Sequence, residues 1–141
     1  MKSTKKKNVK EVVPFFHVHD MERSMKFYVD GLGFVSENEW KVDGQLRWCR
    51  IELGKAALML QVFTDAAPRE LGNGVSLSFT CKNALAIHKS MQKRGLTPAE
   101  PFVGYGMWVV GITDPDGYKL EFQSETDAPE ESTLSSHLTK E

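Results

Sequence analysis

The sequence has few cysteines, no excess of either charge and no long apolar run, and each absence excludes a class of protein. Its 141 residues include two cysteines, Cys49 and Cys81, in no C-x-x-C pair, so neither a disulfide framework nor a zinc knuckle is predicted. Eighteen basic and 19 acidic residues give a net charge of −1, which leaves no positive field for nucleic acid. No segment approaches the roughly 20 apolar residues of a membrane span, and the N-terminus lacks the apolar stretch of a signal peptide. We therefore expect a cytosolic protein that binds neither nucleic acid nor membrane.

Both ends of the chain are polar. Residues 1–11 are rich in lysine, and residues 126–141 are rich in serine, threonine and glutamate. Segments of this composition bury too little apolar surface to offset the entropy of ordering. We therefore predict two disordered tails around an ordered domain of residues 12–125.

An internal repeat organises the ordered domain. Residues 13–34 predict a strand followed by an amphipathic helix, which Asp20 caps and Gly33 ends. Residues 75–96 predict the same order, with Gly95 as the stop. Corresponding positions are separated by a constant 62 residues, so the chain contains two copies of one structural unit.

Three strand-like segments follow each predicted helix, which gives the order βαβββ twice. The predicted strands are residues 34–41, 46–53, 57–63, 97–102, 108–113 and 118–123. Two prolines limit the fourth of these to a short or edge strand. The last two are joined by Asp-Pro-Asp-Gly at 114–117, a tight-turn sequence. The predicted modules are residues 12–64 and 75–125, joined by a linker at 65–74.

Two motifs give the chain a resemblance to a known family. One reads VHDMERSMKFY over residues 18–28 and leads to GLGF at 31–34; the other reads DPDGYKLEF over residues 114–122. With the repeat, they resemble the vicinal oxygen chelate superfamily, which includes glyoxalase I, bleomycin and fosfomycin resistance proteins and extradiol dioxygenases. The resemblance implies an α+β fold in which two tandem βαβββ modules form curved mixed sheets around a cleft. Because this fold hosts many chemistries, activity has to be argued from the site.

The resemblance also implies four metal-ligand positions, two in each module. They match Val13 and Val75 on the first strands and Gln61 and Glu121 on the last strands. Valine has no donor atom, and the two remaining side chains fall short of the three protein ligands usual for catalytic zinc. We therefore expect no metal and no other cofactor. The alternative is an irregular divalent-metal site in which His17, on the same strand face as Val13, joins Gln61 and Glu121.

Strand alternation assigns a set of side chains to the face that would line the cleft, and the glycine-flanked loop 102–108 adds two more. The predicted ligand-binding residues are Phe15, His17, Trp48, Arg50, Met59, Gln61, Phe63, Tyr105, Trp108 and Glu121. Three of them have a structural alternative. His17 would be a hydrogen-bonded structural histidine, Glu121 the ion-pair partner of Lys119, and Trp108 a core residue.

Three functions are compatible with these residues. The favoured one is a metal-free protein that holds a small, partly aromatic or cationic ligand, as in the bleomycin-resistance branch, with no catalytic residue. The alternative is a lyase, isomerase or dioxygenase with a degenerate metal site, or with acid–base chemistry by Glu121 and His17. The third is an interaction subunit whose cleft is vestigial. Because members of the family commonly dimerise, we expect a homodimer whose cleft lies within one chain or between two.

Overall fold

Two four-stranded mixed sheets, each covered by a helix, form the computed structural model, which describes residues 8–63 and 71–139. The elements are β1 (Phe15–Val18), α1 (Met21–Met25) with a π-helical continuation (Lys26–Gly31), β2 (Val35–Val42), β3 (Gln45–Leu53), β4 (Ala56–Val62), β5 (Ser76–Thr80), α2 (Ala84–Lys93), β6 (Phe102–Gly104), β7 (Met107–Thr113), β8 (Lys119–Glu125) and α3 (Leu134–Thr139). The strand orders are β1-β4-β3-β2 and β5-β8-β7-β6. The predicted α+β fold of two tandem βαβββ modules is confirmed. Residues 1–7 and 140–141 of the predicted tails, residue 64 of the first predicted module and residues 65–70 of the predicted linker lie outside the described residues.

Most elements begin and end close to the predicted positions, because short-range signals set them. The Asp20 side chain accepts a hydrogen bond from the backbone N of Arg23 at 3.2 Å and caps α1 as predicted. The predicted strand 97–102 is replaced by the later and shorter β6, since two prolines remove backbone donors from that stretch. Within the described residues, no helix is both long and apolar enough to cross a membrane.

The first helix departs from the predicted α-helical geometry in its second half. Leu32 N donates to Phe27 O at 3.0 Å, a bond that spans five residues and makes this a π-helical turn. The wider turn brings both Phe27 and Tyr28 into the core. It also turns Gly31 inward, where a Cβ atom would lie 2.8 Å from a methyl carbon of Leu96.

The residues after Thr126, predicted to be a disordered tail, instead lie along the edge strand β6. Val103 N donates to Ser132 O, and Glu131 N donates to Val103 O, both at 2.9 Å. An edge strand leaves a row of unpaired backbone groups, and this segment satisfies part of that row. The polar composition of the segment gave no signal for this pairing because the bonds are between backbone atoms.

The helix-facing sides of the two sheets share one apolar core. The ring of Phe16 in β1 stacks on the ring of Tyr118 from the second module at 3.7 Å, nearly parallel. Phe34 from the first module meets Phe79 of β5 edge to face at 6.5 Å. Both contacts come from the side of each sheet that faces its own helix. The opposite, open faces of the sheets are therefore turned away from this junction.

A buried polar network crosses the junction between the modules. The Asp116 carboxylate lies 2.6 Å from His19 Nδ1 and accepts longer bonds from Arg23 Nη2 and Ser24 Oγ, both at 3.4 Å. The Asp114 carboxylate accepts the Tyr28 hydroxyl at 2.6 Å. The tight turn of the second module is thus bound to the helix of the first.

Replacing Tyr28 with Phe should destabilise the protein in a pH-dependent way. Burial raises the pKa of the Asp114 carboxyl above its ordinary 3.8, because the ionised carboxylate is less stable in the folded protein than in water. The hydrogen bond from the Tyr28 phenol offsets part of this destabilisation. At neutral pH we expect a loss of about 1–3 kcal/mol in unfolding free energy. The loss should shrink as the pH falls through the raised pKa, because a protonated carboxyl gains less from the phenol donor. Denaturant unfolding across this pH range measures it.

The matched control for this experiment is Tyr105→Phe. Tyr105 is 95% exposed, so removal of its hydroxyl should leave the unfolding free energy nearly unchanged at every pH. A Tyr28→Phe loss of equal size at acid and neutral pH would contradict the assigned role of Asp114.

Candidate functional site

The open face of the first sheet holds most of the predicted ligand-binding residues. In the strand register, one row across the sheet contains His17, Gln61, Trp48 and Trp40. The neighbouring row contains Phe15, Met59, Arg50 and Asn38. Aromatic rings and hydrogen-bonding groups thus alternate over one surface, as small-molecule sites require.

Three rings form a group at the β1 side of this face. The His17 ring centroid lies 5.2 Å from that of Phe15 and 4.8 Å from that of Phe63. Phe15 is 44% exposed, so the group is open to a ligand or a partner. Within the described part of the chain, the contacts of the His17 side chain are these ring contacts, rather than the hydrogen bond of a structural histidine.

The guanidinium of Arg50 already has two acidic partners. Its Nε lies 3.0 Å from a Glu52 carboxylate oxygen, and its Nη1 lies 3.3 Å from Glu11. The bond to Glu52, followed by that to Glu11, holds the pKa of Arg50 above its ordinary value. Arg50 therefore lies on the predicted face with its charge neutralised.

A second arginine, Arg47, is part of the same region and was not predicted from the sequence. Trp40 pairs with Trp48 and the next residue, Lys41, pairs with Leu46, so Arg47 is the extra residue of a β-bulge. Its Nε is buried and has no hydrogen-bond partner among the described residues. The side chain lines a groove of about 320 Å³, together with Trp40, Val42, Gln61 and Val62.

The open face of the second sheet is polar at Lys119 and Glu121. These two residues also line a separate groove of about 640 Å³, whose walls include the apolar Phe27 and Leu96. Glu121 is exposed. Among the described residues it forms no ion pair with Lys119. Gln61 and Glu121 thus line different grooves of one chain.

Two of the predicted residues lie away from these faces. Trp108 is 6% exposed and packs in the core, with its ring at right angles to His137. The core alternative is therefore correct for Trp108, because β7 turns it to the same side as the buried Val110 and Ile112. Tyr105 is at the tip of the β6–β7 hairpin with φ +53°, and its backbone N donates to Glu130 at 2.7 Å.

The fold agrees with the comparison to known protein families. The sequence profile of the Glyoxalase/Bleomycin resistance protein/Dioxygenase superfamily matches residues 12–122. The chain belongs to this superfamily. No curated protein matches it.

Several solved structures have the same architecture at low sequence identity. TioX from Micromonospora sp. ML1 is 15% identical with a TM-score of 0.65, over 85% of this chain and 99% of TioX. TnmS3, an antibiotic binding protein from Streptomyces sp. CB03234, is 20% identical with a TM-score of 0.64, over 86% of this chain and 100% of TnmS3. A glyoxylase/bleomycin resistance protein/dioxygenase domain from Frankia sp. EAN1pec is 17% identical with a TM-score of 0.67, over 84% and 100%. At these identities the likeness shows the fold alone.

The residues present do not fit the metal site that the superfamily implies. Val13 and Val75 have no donor atom at two of the four positions, and the other two side chains, Gln61 and Glu121, line separate grooves. In residues 8–63 and 71–139, no group of three or more His, Cys, Asp or Glu side chains is placed to hold a metal ion. No step of a mechanism is therefore assigned to a metal here.

Protein purified without chelator or affinity-resin metal should contain far less than one divalent ion per chain. The reason is the donor set, since a bound ion needs more than an amide oxygen and a carboxylate. Elemental analysis, before and after dialysis against zinc, nickel or manganese, measures the number of bound ions per chain. Stoichiometric metal in the unaltered protein would contradict this interpretation.

Proposed function

We propose that the chain is a metal-free binding protein for a small aromatic molecule, held on the open face of its first sheet. The observation that carries the proposal is the row of Trp40, Trp48, Gln61 and His17 beside the groove lined by Arg47. Small-molecule sites combine apolar and aromatic walls with a few converging polar groups. The antibiotic binding protein TnmS3, which has the same fold, supports a binding role for this architecture.

Binding of a planar aromatic compound should quench the fluorescence of Trp48 and Trp40. A panel of such compounds, titrated into the protein, identifies those that quench. In the variant Trp108→Phe the quenching should persist, because Trp108 lies in the core. In the double variant Trp40→Phe, Trp48→Phe most of the quenching should be lost.

The control for these titrations is the emission of each variant without ligand, together with its thermal unfolding. Quenching that disappears in Trp108→Phe and persists in the double variant Trp40→Phe, Trp48→Phe would contradict the proposed face. A broad aromatic panel that neither quenches nor releases heat on mixing would contradict small-molecule binding itself.

We further propose that the protein is a homodimer whose binding cleft is shared by two chains. The support is the direction of the open faces, which are turned away from the junction between the modules. Apolar side chains remain exposed on the first module, among them Phe15 at 44% and Trp40 at 55%. If the first sheet of one chain covers the second sheet of its partner, Gln61 faces the partner's copy of residue 121. The exposed side chains of Phe15 and Trp40 then become buried.

Mixing two weakened variants tests the shared cleft. Gln61→Ala and Glu121→Ala should each reduce ligand affinity. When the two chains are unfolded together and refolded, heterodimers with a shared cleft contain one intact site, so part of the tight binding should return. Sedimentation equilibrium provides the control that dimers form. A dimer whose mixture binds no better than the separate variants would contradict the shared cleft, and a monomer would contradict the dimer.

A further inference from the structure

The geometry points to a ligand that carries a carboxylate, bound by Arg47 while the attached aromatic ring lies on Trp40. This inference rests on the proposed function and names the chemical class of its ligand. Its starting observation is the place of Arg47 in the sheet. Since Trp40 pairs with Trp48 and Lys41 with Leu46, Arg47 interrupts the ladder, and a bulge directs such a side chain out of the regular alternation.

Arg47 lines the groove that Gln61 and Trp40 also line. One face of the groove is an indole, 55% exposed, and the other walls include Val42 and Val62. The volume of about 320 Å³ is at the lower end of the range for ligand sites. It suits a compound of one or two fused rings.

The charge of Arg47 is the feature that selects an acid. Arg50, on the same sheet, has two carboxylate partners, and Lys41 has Glu39 at 3.8 Å. Arg47 makes no ion pair among the described residues, and its buried Nε has no hydrogen-bond partner there. A planar guanidinium binds a carboxylate through two parallel N–H bonds, and such a partner would satisfy Nε.

Arg47 lines two grooves. Among their described lining residues, acidic side chains occur only in the groove on the side away from Trp40. A wider groove there is lined by Asp20 and Glu22. Asp20 already accepts the backbone N of Arg23, and neither carboxylate comes within ion-pair distance of Arg47. On the Trp40 side, the described lining that one chain provides contains no carboxylate.

Calorimetric titration with three matched naphthalenes tests the inference. The probes are 2-naphthoate, 2-naphthylmethanol and 2-naphthylmethylammonium, which share a ring system and differ in charge. In the unaltered dimer we expect 2-naphthoate to bind at least about tenfold more tightly than the alcohol, as one charge-assisted contact provides. The ammonium compound should bind more weakly than the alcohol.

Three variants locate the effect. Arg47→Gln should bind the acid and the alcohol equally, and Arg47→Lys should keep part of the preference because it retains the charge but not the planar fork. Lys41→Gln removes the same charge from a neighbouring, already paired position and should keep the full preference. Circular dichroism and thermal unfolding of each variant verify the fold.

The possible failures are distinguishable. Equal binding of acid and alcohol by the unaltered protein, or a preference that survives in Arg47→Gln, overturns the carboxylate assignment and leaves small-molecule binding intact. Loss of the preference in Lys41→Gln as well would show a general charge effect and overturn the assignment to Arg47. If all three naphthalenes and the wider aromatic panel fail to bind, both the carboxylate assignment and the proposed function are overturned.

Discussion

The contact on which the rest of the structure depends is the burial of the Asp-Pro-Asp-Gly turn against the first helix. Two carboxylates, Asp114 and Asp116, are almost fully removed from water at this point. Burying an unpaired charge costs several kcal/mol, and here the cost is offset by donors from the other module, above all the Tyr28 hydroxyl and the His19 ring. Each module alone would leave part of this network unsatisfied. Modules of this size are also marginal as independent domains, so the two fold as one unit.

That junction decides where function can reside. Because the helix-facing sides of both sheets are used to join the modules, the open faces are left for binding. The two faces differ in character: one carries the indoles of Trp40 and Trp48, while the other carries Lys119 and Glu121. The architecture of the superfamily is present here, while valine stands at positions 13 and 75, where the resemblance implies metal ligands. The junction therefore fixes the fold, and the residues of the open faces determine the chemistry.

Short-range signals explain why much of this was predictable. The Asp20 cap and the alternation of strand faces depend on neighbours within a few residues, and the repeat is a second copy of such local signals. Pairing across the sheet does not depend on such neighbours. The bulge at Arg47 follows from how β2 and β3 align, and the burial of Trp108 follows from the register of β7. The π-helical turn after α1 is fixed by the core of the other module, through Tyr28 and its partner Asp114.

The same long-range alignment of the strands places Arg47 where its side chain indicates the class of ligand. An unsatisfied buried donor costs about 1–3 kcal/mol. For the nearby Arg50 the protein itself provides the acceptors, since Glu52 and Glu11 supply carboxylates. At the positions that border Arg47 the chain instead places Trp40 and Gln61, an aromatic face and a neutral amide. Neither side chain neutralises a guanidinium, but both can hold a ring next to one. The missing carboxylate is then the part that a ligand brings.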